Sequence, residues 1–196
     1  IQALAPTTTA EAPQRTRYLL ALAESRVREE IGSPGLQSPL LASLALAHYD
    51  TGHYSLALDL WDEVIGILGR GGEAGARALL GARSARARTL MELGELSKAK
   101  RAWQAVLEEE EQVFGKDSKE AYSTLDHLGI IEAKIGNFEE AEIFLDRALK
   151  GRSRLLGKAH LQTLATLNSL ASVLQRLGKV DQAANFFEQV LENRRR

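Results

Sequence analysis

The sequence predicts an all-α solenoid of antiparallel helix hairpins, and three observations carry that prediction. Gly52, Gly94, Gly136 and Gly178 recur at a constant interval of 42 residues, a period in the range that marks stacked supersecondary units. Each glycine is followed by an apolar residue two places on and an alanine five places on, as in Gly136-Asn-Phe-Glu-Glu-Ala141. Apolar residues on both sides of each glycine recur in steps of three and four, the spacing of a helix face. Glycine tolerates the left-handed conformation that ends a helix, so each unit reads as helix A, a glycine turn and helix B.

In chain order, residues 1–14 read as a flexible tail or linker, with Ala5-Pro-Thr-Thr-Thr-Ala10 at its centre. Residues 15–32 read as a lone helix of B type, carrying Tyr18, Leu19, Leu22, Val27 and Ile31 and closed by Gly32. The first hairpin, residues 38–79, opens with Ser38 as N-cap and Pro39 as first helical residue. It carries Leu44, Ala45, Tyr54, Ala57, Trp61 and Val64, and its second helix runs about one turn short before the glycine-rich Leu68-Gly-Arg-Gly-Gly72. The second, residues 80–121, repeats the pattern with Ala87, Leu90, Leu96, Ala99, Trp103 and Val106. The third, residues 122–163, places small Gly129 and Ala141 where two helices cross closely. Phe138, Phe144, Leu145, Ala148 and Leu149 form its stripe. The fourth, residues 164–196, follows with Leu167, Leu170, Ala171, Val180, Ala183, Phe187 and Val190. One helix and four hairpins make nine helices. The chain opens on Ile1, and the fourth hairpin stops where the third continues, which reads as a segment of a longer protein.

Composition narrows the function. A net charge of −1 gives no general attraction to nucleic acid or to an anionic membrane. The absence of cysteine removes disulfides, thiol catalysis and cysteine-ligated zinc. No apolar run reaches the roughly 18–20 residues of a membrane span. His48, His53, His127 and His160 form no i, i+4 pair or HExxH motif, so packing or surface roles are expected and no metal or cofactor is implied. Gly115-Lys116-Asp117-Ser118 lacks the earlier glycine and the preceding strand of a phosphate loop. Trp61 and Trp103 share one helix-B position, which argues for packing between hairpins. The run Glu108-Glu-Glu-Glu111 is expected to face solvent, with docking of a basic partner as the alternative. No nucleophile, base and acid set stands out, and the chain reads as a non-enzyme.

The glycine turn, the apolar residue two places on and the alanine five places on resemble the tetratricopeptide repeat. The 42-residue period resembles the longer variant found in kinesin light chains and in many bacterial and fungal signalling proteins. That variant carries a Leu-Gly-x-x-His-Pro junction followed by Thr-Leu-x-x-Leu-Asn-Asn-Leu-Ala. Here the chain has Leu156-Gly-Lys-Ala-His-Leu161 and then Thr163-Leu-Ala-Thr-Leu-Asn-Ser-Leu-Ala171. Leu161 stands where the family has proline, and Ser118 stands where it has histidine. Helix A of the second unit departs further, with Arg86 at a position that is Leu44, Leu128 and Leu170 in the other units.

The resemblance implies a right-handed α-α superhelix with the A helices lining a concave groove. It implies a protein or peptide partner bound there as by an adaptor, scaffold or sensor arm, with no nucleic acid and no membrane insertion. A cytoplasmic location is expected. Carried over by register, the groove positions are Tyr49 and Asp50, with Ala42 and Leu46, in the first unit. Arg88 and Glu92, with Ser84 and Met91, follow in the second, and Asp126, His127 and Lys134, with Ile130, in the third. Asn168, Ser172, Gln175 and Arg176, with Ser169, complete the set. Asn168 presents donor and acceptor together, which suits an extended backbone. Charge along this line changes sign, from Asp50 and Glu92 to Lys134 and Arg176, so the C-terminal half is expected to favour an acidic segment. The alternative is internal pairing of Arg83 or Arg86 with Asp126. A different role, a subunit or assembly factor held permanently in a complex, would show as apolar residues exposed on the B helices.

Overall fold

The computed structural model of the chain describes residues 12–70 and 75–194. Among the described residues there are nine α-helices and no strand: α1 (Ala12–Glu30), α2 (Pro34–Asp50), α3 (Tyr54–Leu68), α4 (Ala76–Glu92), α5 (Leu96–Val113), α6 (Lys119–Ile135), α7 (Phe138–Leu156), α8 (Leu161–Arg176) and α9 (Val180–Arg194). The even-numbered helices are the A helices and the odd-numbered ones the B helices. The four periodic glycines all adopt positive φ, from 76° at Gly94 and Gly178 to 101° at Gly136. At Gly136 the amide bonds back to the Glu132 carbonyl at 3.0 Å and ends α6. The period is therefore a backbone requirement repeated once per hairpin.

Local chemistry explains where helices begin. Ser118 caps α6 by accepting from the Ala121 amide at 3.2 Å, and His160 caps α8 by accepting from the Gln162 amide at 3.2 Å. The serine that departs from the family junction thus serves as the histidine does. Leu161 is then the first residue of α8, a position proline favours because no N–H is needed there.

Two expectations need correction. The first A helix opens at Ser33 and Pro34, one turn before Ser38 and Pro39. The Ser33 carbonyl accepts from the Leu36 and Gln37 amides, Ser38 is buried, and Pro39 lies inside the helix near its start. The same Ser-Pro signature occurs twice, and the earlier copy starts the helix. The tail assigned to residues 1–14 lies outside the described residues up to 11, and α1 takes in residues 12–14. As expected, α3 is short, at 15 residues against 18 in α5 and 19 in α7.

The chain packs as two compact units, Ile1–Thr89 and Leu90–Arg196, divided within α4. In the first, Leu41 and Ala45 of α2 pack with Ala57, Leu60, Trp61 and Val64 of α3, joined by Val27 of α1 and Ala82 of α4. Polar contacts tie α1 to this hairpin. His48 shares a 2.6 Å hydrogen bond with Glu24, and Arg28 donates to Glu63 at 2.8 Å. Both ends of α1 lie three whole periods before those of α7, so α1 is a B helix in register. Its Tyr18, Leu19 and Leu22 occupy the positions of Leu60, Trp61 and Val64, yet they are exposed, 68% for Tyr18.

In the second unit Ala141, Leu145, Leu170, Val173, Leu174 and Ala183 form one cluster and Tyr122, Leu125 and Ala148 another. Gly129 lets α6 and α7 cross closely, because a Cβ there would meet Leu145 Cγ at 2.5 Å and the Ala141 carbonyl at 3.2 Å. Gly151 makes room for the Tyr122 ring in the same way. The tryptophans are buried in the packing, as their repetition implies.

Candidate functional site

The second unit brings six of the expected groove residues into one cavity. Lys134 on α6 and Asn168, Ser172 and Arg176 on α8 line a space of about 380 Å³. Ile130 and Ala133 of α6, Phe138 and Leu145 of α7, and Ser169 and Val173 of α8 complete its wall. The turn at Gly136 sets Phe138 beside the end of α6, and the 42-residue period sets Arg176 at the position of Lys134 one repeat on. The Arg176 guanidinium lies 5.1 Å from the centre of the Phe138 ring, a cation–π contact that holds it at the mouth. The Ser172 hydroxyl donates to the Asn168 carbonyl at 3.0 Å, leaving its oxygen free to accept. Lys134 and Arg176 form no ion pair among the described residues, and no carboxylate lines the cavity. The result is an open, half-apolar cavity with two cations and an amide at its edge.

The remaining expected residues are placed elsewhere. Asp126 is buried 3.3 Å from Arg152, whose guanidinium also donates to Thr166 Oγ1 at 2.6 Å and the Gln162 carbonyl at 3.3 Å. His127 stacks on Trp103, ring centres 4.4 Å apart at 17°. Both are therefore corrected from groove residues to packing residues. Gln175 is exposed on α8 and does not line the cavity, and Glu92 is exposed at the end of α4. In the first unit Asp50 is exposed, while Tyr49 packs edge-on against Tyr54 at 5.3 Å. Arg88 lies over the Tyr49 ring at 4.6 Å.

Other charged residues are also engaged. Arg86 pairs with Asp62 of α3, not with Asp126. Within the acidic run, Glu110 is buried and accepts from Thr124 Oγ1 at 2.6 Å, against the expectation of a solvent-facing run. Burial pushes its carboxyl above the ordinary value, opposed by the Thr124 hydrogen bond. Phe138, Ala133, Leu145 and Val173 were not singled out as site residues, because by periodicity they read as core. Their cavity-lining edges depend on the angle between helices, which a one-dimensional pattern does not carry. No cluster of three or more metal-ligating side chains occurs among the described residues, and no described helix is long and apolar enough to cross a membrane.

Antiparallel helix pairs, each closed by a left-handed glycine and repeated at a fixed interval, define a helical-repeat protein of the superhelix class. The chain belongs to the tetratricopeptide repeat family: the family profile matches residues 76–152 and 120–196, together more than half of its length. No curated protein sequence matches it. Solved structures match its fold. BtubC (BKLC) from P. vanneervenii is 20% identical with a TM-score of 0.80, over 94% of this chain and 74% of that one. A kinesin light chain of nearly identical repeats from Podosopora anserina is 21% identical with a TM-score of 0.70, over 94% and 85%. A Rap protein complexed with competence and sporulation factor is 16% identical with a TM-score of 0.70, over 94% and 51%. The repeats are thus of the kinesin-light-chain-like kind in architecture.

Proposed function

We propose that the chain is a protein-interaction module whose second unit holds an acidic segment of a partner in the cavity between α6 and α8. One observation carries this reading: Lys134 and Arg176 share one cavity with Asn168, and no carboxylate neutralises them. Exposed cations that no carboxylate pairs with create a positive potential that attracts and orients an anionic chain. Asn168 would hold the backbone of an extended segment, and Ile130, Phe138 and Val173 would take an apolar side chain beside the acidic one. The role is that of an adaptor, scaffold or sensor arm, without catalysis. The Rap neighbour's complex accords with a fold that accepts a partner.

Affinity capture with the chain and with a Lys134→Ala, Asn168→Ala, Arg176→Ala variant tests this, with circular dichroism to show that both are folded. A partner lost by the variant supports the cavity. Retention of every partner overturns it. A second reading, a permanently bound structural subunit, is favoured by exposed Ile143, Leu155 and Leu191 on the B helices and by the uncovered stripe of α1. Under that reading the partners co-purify with the variant unchanged.

A further inference from the structure

The crevice between α7 and α9 has a counterpart one repeat earlier, and the two are filled differently. Between α5 and α7 the Tyr122 ring lies against Gly151 and packs with Leu125, Ala148, Leu107 and Phe144. Arg147 of α7 donates to Glu111 of α5 at 2.7 Å and bridges the two helices. One period on, Leu164 replaces Tyr122, Ser153 replaces Glu111 and Gln189 replaces Arg147. Leucine lacks the phenol ring, and serine and glutamine make no ion pair. Gln189 donates instead to Asn185 on its own helix. A crevice of about 750 Å³ remains between α7, α8 and α9, within the size range of small-ligand sites.

Its rim has become basic. Lys150 and Arg154 stand where the preceding repeat has Glu108 and Gln112, and Lys158 keeps the position of Lys116. Lys150 pairs at 2.6 Å with half-buried Asp146, the one carboxylate among the described residues of the crevice wall. Arg154 pairs with exposed Asp117 at 3.5 Å and the Tyr122 hydroxyl at 2.8 Å. Such pairs at the surface are weak and exchange readily for a stronger anion. Lys158 forms no ion pair among the described residues. Thr163, third in α8, replaces Ala121, lines the crevice and is 1% exposed, and its hydroxyl has no hydrogen-bond partner. A buried hydroxyl left unpaired is costly, and the positive end of α8 lies beside it. Leu149, Leu167 and Phe186 supply an apolar floor.

We propose that this crevice is a second binding site, for a phosphate monoester carried on an aromatic or aliphatic body. The body would lie on Phe186 and Leu167, and the phosphate would meet Lys150, Lys158 and the Thr163 hydroxyl. The ester is either a small molecule or a phosphorylated side chain of a protein. Amide-detected NMR titration of the whole chain with phenyl phosphate, and then with a short phosphotyrosine peptide, tests both sources. The proposal expects saturable shifts at the crevice. It expects a loss of about tenfold or more in affinity in Lys150→Ala with Lys158→Ala, and no change in Lys98→Ala, an exposed lysine that lines neither cavity. Leu164→Tyr with Asn193→Gly restores the packing of the preceding repeat and should abolish binding. If that pair of changes unfolds the protein, the two exposed lysines carry the test. Tighter binding of the peptide assigns a phosphoprotein source, and equal affinity assigns the small ester. No saturable binding of either probe, or binding that survives loss of both lysines, overturns the proposal.

Discussion

In the first unit Arg88 lies over Tyr49 at 4.6 Å, and buried His48 bonds Glu24 at 2.6 Å. In the second unit Lys134 and Arg176 border a cavity with no carboxylate in its wall. Both units are built on the same glycine-closed hairpin, so the backbone is not what separates them. The difference lies in how far the cations at groove positions are held within the fold. Arg88 is half-buried over its ring and gains little from a ligand, whereas Lys134 is exposed, as is Arg176 even with its contact to Phe138. A cation left facing a cavity can gain a charge-assisted hydrogen bond. The same contrast appears inside the second unit. Glu110 and Arg152 occupy one register position, each bonded to a buried threonine, but only Arg152 has an opposite charge, Asp126, beside it.

The largest effect is expected where packing is tightest. Gly151→Ala places a methyl group within the Tyr122 ring, and the shift this forces should cost about 1–3 kcal/mol. Thermal unfolding followed by circular dichroism should show a Tm lower by roughly 2–10 °C. An unchanged Tm would mean that the second unit is not packed as described. Ser172→Glu comes next, since it puts a carboxylate into the wall beside Lys134 and Arg176 and gives these cations a partner within the fold. Calorimetric titration with an acidic peptide captured by the chain should lose about tenfold in affinity, near 1.4 kcal/mol. Affinity that holds would break the comparison.

The smallest effect belongs to Glu110→Gln. The folded state raises this carboxyl's pKa by burial, above the ordinary value of 4.5. Through that interval the folded chain holds the proton that the unfolded chain has released. Stability is thus greatest below the ordinary value and declines as pH rises to the folded one. Glutamine keeps an acceptor for Thr124 and removes the decline. Melting curves across the acid to neutral range should flatten, with Tm near neutrality up by about 1–3 °C. A variant less stable at neutral pH than at acid pH would contradict the sign.

Much of the fold was legible because its determinants are local. A glycine that must adopt positive φ, an alanine at each helix crossing and an apolar stripe on each helix all repeat every 42 residues. Ser118 and His160 were legible only as junction residues, and the hydrogen bonds they accept from the Ala121 and Gln162 amides make them helix caps. The start of α2 was misread because Ser33-Pro34 and Ser38-Pro39 carry one signature, and only packing, which buries Ser38, selects between them. The site was half legible. Lys134, Asn168, Ser172 and Arg176 follow from register alone. Asp126 and His127 hold the same nominal register, but Arg152 and Trp103 reach them from other helices, and that reach depends on side-chain length and crossing angle.

The most direct test of the central claim is binding to an array of short peptides graded from strongly acidic to strongly basic. It would compare the chain with its Lys134→Glu, Arg176→Glu variant, both shown to be folded. The account predicts that binding to the chain rises with acidic charge, and that the charge reversal inverts this preference. Identical profiles for the two proteins would contradict it and move recognition away from the cavity between α6 and α8.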